Sequence, residues 1–191
     1  MRHYSVKDRK ETDGGTSAPS PFETAGSYAY DLFLHGAGEG RMNWEVTELS
    51  DDDVAVAFHY ELDNQKFDTT VTGRTEAIRD ELLATPAYPF VTAVLFPSVL
   101  PMLGVGELSI GDQLSVPVPG GEGTVEITGK YTHAGIEGYT SVWRVDGERR
   151  YEDCVAPDLE LLLSATYYPP GSTVAFLWLG LVTYEQSGDE T

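Results

Sequence analysis

The chain has 191 residues, enough for one domain with a sizeable buried core. Its 41% hydrophobic and 11% aromatic content are globular values and exclude a chain disordered throughout. Thirty-one acidic against twelve basic residues give a net charge of −19, which excludes nucleic acid as a partner because a phosphate backbone requires a basic face.

Residues 1–25 read as a disordered tail, charged at first and then rich in Gly, Ser, Thr and Pro from Asp13 to Pro21. Period-two alternation begins at Gly26. Tyr28, Tyr30, Leu32 and Leu34 share one face, as do Met42, Trp44 and Val46 in the next segment. After Asp51–Asp53 the run Val54, Val56, Phe58, Tyr60 and Leu62 repeats the pattern, and Phe67, Thr69 and Val71 close it. Four such segments separated by short polar turns predict an antiparallel meander with one face buried. Gly36–Gly40 is glycine-rich like a dinucleotide loop, but a strand rather than a helix follows it, so it reads as a hairpin turn.

Arg74–Ala84 breaks the alternation, and Ile78, Leu82 and Leu83 have helical spacing. Thr85–Gly106 then carries no charge. A membrane span needs about 20 apolar residues, and Pro89, Pro97 and Pro101 would each remove a helical hydrogen bond. The stretch therefore reads as a helical insert at about 74–104, packed on the inner face of the sheet. It either completes the core or lids an apolar cavity.

Strand patterning resumes at Gln113–Val118, Thr124–Thr132, Gly138–Val145, Arg149–Ala156, Asp158–Tyr168 and Thr173–Glu185. Asp146-Gly147 predicts a two-residue hairpin turn, whose central positions both require positive φ. The fold class is mainly β with minor α: an antiparallel curved sheet or half-barrel of nine or ten strands in a single domain over 26–186. Residues 187–191 fray.

No catalytic constellation emerges. A nucleophile elbow is absent, and carboxylates are too abundant for any pair to be informative. His35 and His59 occupy the polar parity of their strands without a third ligand at metal spacing, and Asp51-Asp52-Asp53 lacks the ligand spacing of a calcium loop. Cys154 lies in a strand, where packing is its expected role. The reading assigns no catalytic residue, no metal and no cofactor. Basic Met1–Lys10 is followed by no apolar segment and no lipobox cysteine, which predicts a cytoplasmic protein as the chain stands, or an envelope-associated one if its start is incomplete.

An acidic composition with only four lysines, Lys7, Lys10, Lys66 and Lys130, resembles proteins of extreme halophiles. The order of four strands, a helical apolar insert and further strands resembles the lipoprotein-carrier half-barrels of the LolA/LppX type. Glu107–Asp112, Glu137-Gly138-Tyr139 and Val155–Leu159 are similar to turns of uncharacterised β-rich envelope and haloarchaeal proteins. The resemblance implies a non-enzymatic protein that holds an apolar ligand such as a lipid. The ligand-facing side chains would be Tyr30, Trp44, Phe58, Tyr60, Phe90, Phe96, Trp143, Phe176 and Trp178, held to the ligand by apolar burial at about 25 cal/mol per Å². The competing expectation is a fully packed structural or protein-interaction domain, and a hydrolase is the third.

Overall fold

A computed structural model of the protein describes residues 3–5, 21–63, 65–95, 109–118, 121–156, 159 and 161–186. In chain order the strands are β1 (His3–Ser5), β2 (Gly26–Leu34), β3 (Gly38–Glu48), β4 (Asp53–Leu62), β5 (Gln65–Arg74), β6 (Gln113–Val118), β7 (Gly121–His133), β8 (Ile136–Val145), β9 (Glu148–Ala156), β10 (Leu161–Tyr167) and β11 (Leu177–Gln186). Two short helices, α1 (Ile78–Leu83) and α2 (Tyr88–Leu95), interrupt them. The chain is thus mainly β, as its alternation predicts. No helix among the described residues is long and apolar enough to cross a membrane. Backbone packing divides the chain, read from sequence as a single domain, into two compact units: Pro19–Phe96 with Trp178–Thr191, and Met1–Ala18 with Pro97–Leu177.

In the first unit the strand order is β11-β2-β3-β4-β5, and β2 to β5 form the predicted antiparallel meander. Register places Tyr28 opposite Trp44 and Trp44 opposite Phe58, so one parity builds a continuous aromatic row across three strands. Tyr30, Leu32, Met42, Val46, Val54, Val56 and Leu62 complete this buried face. The helices fall where Ile78 and Leu82 predict a turn of helix and where Phe90, Val91 and Val94 continue it; all five are buried. Thr85 joins them, its hydroxyl donating to the Leu82 carbonyl and accepting from the Ala87 amide. The Phe90 ring lies 4.8 Å from that of Tyr60, which seats α2 on the inner face of β4.

One boundary differs from the sequence reading. Phe22 and Ala25, which composition places in a disordered tail, are buried, and Phe22 packs 4.9 Å from the Trp44 ring. The Gly/Ser/Thr/Pro composition around Phe22 hides a single apolar anchor that only the finished sheet reveals.

In the second unit the order is β1-β6-β7-β8-β9-β10, antiparallel from β6 onward, with β1 parallel to β6. Strand β1, in the segment that reads as tail, brings the described strands to eleven rather than nine or ten. The β8–β9 hairpin turns on Asp146 (φ 52°) and Gly147 (φ 81°), as the dipeptide predicts. The β7–β8 hairpin does the same with Ala134 (φ 49°) and Gly135 (φ 79°). Val125, Ile127, Ser141, Trp143, Tyr151, Asp153 and Ala165 make a buried face. Inner faces of such sheets are normally apolar, so the serine and aspartate stand out.

Candidate functional site

Strand β5 is ten residues long and pairs with β4 throughout. Among the described residues no strand pairs with its other side. The Thr75 amide donates to the Asp52 carbonyl directly opposite, which makes Thr75–Asp52 a hydrogen-bonded pair. Antiparallel ladders alternate, so Gly73, Val71, Thr69 and Phe67 also turn their amides toward β4. Lys66, Asp68, Thr70 and Thr72 therefore direct amide and carbonyl groups to the open side, while the Arg74 carbonyl at the end of the strand accepts from the Ala77 amide. A row of unpaired backbone groups is a template for another extended chain.

The outer face beside this edge is polar. Asp31, Arg41, Glu61 and Lys66 follow one another across four strands with alternating sign. Arg41 Nε lies 3.2 Å from Asp31, and Lys66 Nζ lies 2.8 Å from Glu61. Exposed pairs of this kind contribute about 0.2–1 kcal/mol each and help fix register. Next to them run two shorter rows, Asn43–His59–Asp68 and Glu45–Ala57–Thr70. The Ala57 methyl leaves a gap between longer neighbours, and an open groove of about 400 Å³ results. His59 Nδ1 lies 2.5 Å from Asp68 Oδ1 on its margin. With Glu45 and Asp68 on its rim, the groove suits a donor or cationic side chain.

The aromatics predicted to face a ligand separate into groups. Tyr30, Trp44 and Phe58 are fully buried, and Trp44 is stacked at 5.3 Å on Tyr30, 4.8 Å on Tyr28 and 6.1 Å on Phe58. The indole Nε1 donates to the Pro21 carbonyl at 3.3 Å. Burial raises the Tyr28 hydroxyl to about 12 and moves that of Tyr30 well above its usual value, so both remain neutral. Tyr60 and Phe90 meet in a second cluster with Phe67. Trp143 lies in the other unit, on β8. Phe96 lies outside the described residues.

The sequence reading turns Phe176 and Trp178 inward, and the structure reverses this: they are 49% and 37% exposed, while Leu177, Leu179 and Leu181 are buried. Both parities of Val174–Leu181 are apolar, so alternation alone could not choose between them. The two histidines also part company. His35 ends up beyond the last β2–β3 pair, in the hairpin turn, whereas His59 faces Asn43 in mid-sheet.

Sequence reasoning missed the cluster around Asp153. Register aligns Ile127, Ser141, Asp153 and Ala165 across four strands, and Val125, Trp143, Tyr151 and Tyr167 in the next row. Ser141 Oγ and Asp153 Oδ1 share a hydrogen bond of 2.5 Å, and Ser141 Oγ accepts from Trp143 Nε1 at 3.2 Å. Asp153 Oδ2 is buried with no partner. Desolvation raises the Asp153 carboxyl to about 7, against the lowering effect of the Ser141 and Trp143 hydrogen bonds. The alternation Tyr151, Asp153, Val155 in the sequence was the available signal, since it puts a carboxylate on the apolar parity. Neighbouring Cys154 is buried and its thiol is pushed up to about 12 by burial and by Asp153, in keeping with a packing role.

No protein-family model matches the sequence. No curated protein matches it. Among solved structures the chain is similar to MucB, with a TM-score of 0.51 and 13% identity over 91% of this chain and 57% of that one. It is also similar to the MucA/MucB complex of Pseudomonas aeruginosa, with a TM-score of 0.51 and 14% identity over 89% of this chain and 54% of that one. A structure of MucB in complex with MucA(peri) gives a TM-score of 0.50 and 11% identity over 89% and 53%. The likeness is one of fold, and the chain spans a little over half the length of the proteins it resembles.

Proposed function

We propose that this protein is a non-enzymatic binding protein whose partner is a protein, taken up as an extended segment along β5. The observation that carries the reading is the open edge, with Lys66, Asp68, Thr70 and Thr72 directing backbone groups outward where no described strand pairs with them. The filled aromatic core beneath it supports the same reading, because stacked and fully buried rings leave little surface for an apolar ligand. The fold likeness to MucB, which is seen in complex with MucA, is in keeping with it. The groove over Ala57 supplies a side-chain subsite whose Glu45 and Asp68 favour a lysine or arginine of the partner.

The test uses synthetic ten-residue β-forming peptides with Lys, Ser or Glu at the central position. Binding is measured by fluorescence anisotropy against the wild type and Thr70→Pro. The Thr70 amide points away from β4, so proline there removes an edge donor without breaking the β4 ladder. Saturable binding preferring the Lys peptide, weakened at least about tenfold by Thr70→Pro, is expected; a tenfold loss is about 1.4 kcal/mol. Binding unchanged in Thr70→Pro would remove β5 as the site. A stoichiometric lipid extracted from the purified protein, with no peptide bound, would return the function to an apolar-ligand carrier.

A further inference from the structure

We propose that Asp153 is a proton-operated catch on the buried face of the unit built from β6 to β10: a neutral acid that holds β8 to β9 and loosens them when it ionises. The site accommodates a neutral acid better than a carboxylate. One oxygen, Oδ1, makes a short contact of 2.5 Å with the Ser141 hydroxyl, and the other, Oδ2, has no partner in a buried site. In the neutral acid the proton sits on Oδ1 and is donated to Ser141 Oγ, which leaves the unpaired Oδ2 as a carbonyl oxygen. On ionisation the Ser141 hydroxyl turns to donate to Oδ1, and Oδ2 then carries half a charge unpaired into low dielectric.

No cation faces it among the described residues. From β8 come Ser141 and Trp143, from β7 Ile127, and from β10 Ala165 and Tyr167. On β9 itself Tyr151 shares the face and Cys154 adjoins it. The Tyr167 hydroxyl is raised above its usual value and the Cys154 thiol to about 12, so neither offers charge near neutrality. Support for an anion comes from the side chains of Ser141 and Trp143 and from the Ser141 backbone, and desolvation outweighs all three.

The direction of the pH response follows. The carboxyl titrates near 7 in the folded unit and at its ordinary 3.8 in the unfolded chain. Between those values the folded state holds a proton that the unfolded state has lost, so stability falls as pH rises and levels off above about 7. One proton corresponds to about a tenfold change in the opening constant per pH unit.

The experiment is hydrogen exchange of the full chain from pH 4 to 9, corrected for intrinsic rates and compared between wild type and Asp153→Asn. Relative to the variant, wild-type amides of β8 and β9 are expected to open about tenfold more per pH unit up to about pH 7. The same pH dependence in both proteins would overturn the proposal. Carbon-13 NMR titration of the Asp153 carboxyl in wild type provides a check that does not depend on the variant folding. A midpoint near 7 supports the catch, and one near 3.8 overturns it.

Discussion

Trp44 touches four aromatic rings, those of Phe22, Tyr28, Tyr30 and Phe58, while its indole nitrogen is satisfied by the Pro21 carbonyl. Truncating so well packed a side chain leaves a cavity, and Trp44→Ala is expected to cost about 3–5 kcal/mol in urea unfolding. Phe22→Ala should also be costly, at about 3 kcal/mol. A negligible loss for Phe22→Ala would mean that this anchor does not hold Pro21–Ala25 to the sheet. Ala134 offers the opposite case. Its φ of 49° is unfavourable for a residue with a Cβ, and Gly135 beside it adopts 79° without strain. Ala134→Gly is expected to raise stability by about 0.5–1 kcal/mol, read as a higher urea midpoint at unchanged slope. Trp44 was legible as a core residue from parity alone. Its contacts with four other rings were not, because parity says which face a ring occupies and nothing about which side chains meet it there.

At the scale of elements, hydrophobic period carried most of the fold. The meander from β2 to β5, the hairpin at Asp146-Gly147 and the helical turn at Ile78–Leu83 all follow from period and turn chemistry. Errors came where that signal is degenerate. Val174–Leu181 is apolar on both parities, and burial of the leucines rather than of Phe176 and Trp178 depends on what they pack against. Gly40 shows a constraint that period cannot express. A Cβ there would come within 1.9 Å of the Glu61 carbonyl oxygen, so β3 approaches β4 too closely for any side chain. Gly40→Ala is expected to cost more than about 2 kcal/mol, measured as a drop in the thermal midpoint. A neutral outcome would show that β3 can shift at that point. The open edge of β5 belongs to this scale too, since a strand's sequence does not say whether it has one neighbour or two.

Across the whole molecule, like-charge repulsion is the main force opposing compactness that salt can relieve. A net charge of −19 with twelve basic residues leaves most carboxylates facing like charge, and the exposed ion pairs offset little of that repulsion. Raising salt from 0.1 to 1 M shortens the screening length from about 10 Å to about 3 Å. The thermal midpoint is therefore expected to rise by several degrees in sodium chloride over that range, or about 1–2 kcal/mol. A midpoint that stays flat would show that the carboxylates are already accommodated and that the composition reflects solubility alone. Length, composition and period determined by themselves that the chain folds, that it is mainly antiparallel β with a short helical insert, and that its surface is acidic. These properties are sums over residues or repeats between near neighbours. The tertiary structure alone decided that Trp44 is buried among stacked rings, that β5 has one neighbour among the described strands, and that Asp153 is buried with one oxygen unpaired. Each depends on which distant segments meet, and strand pairing across many residues leaves no trace in local period.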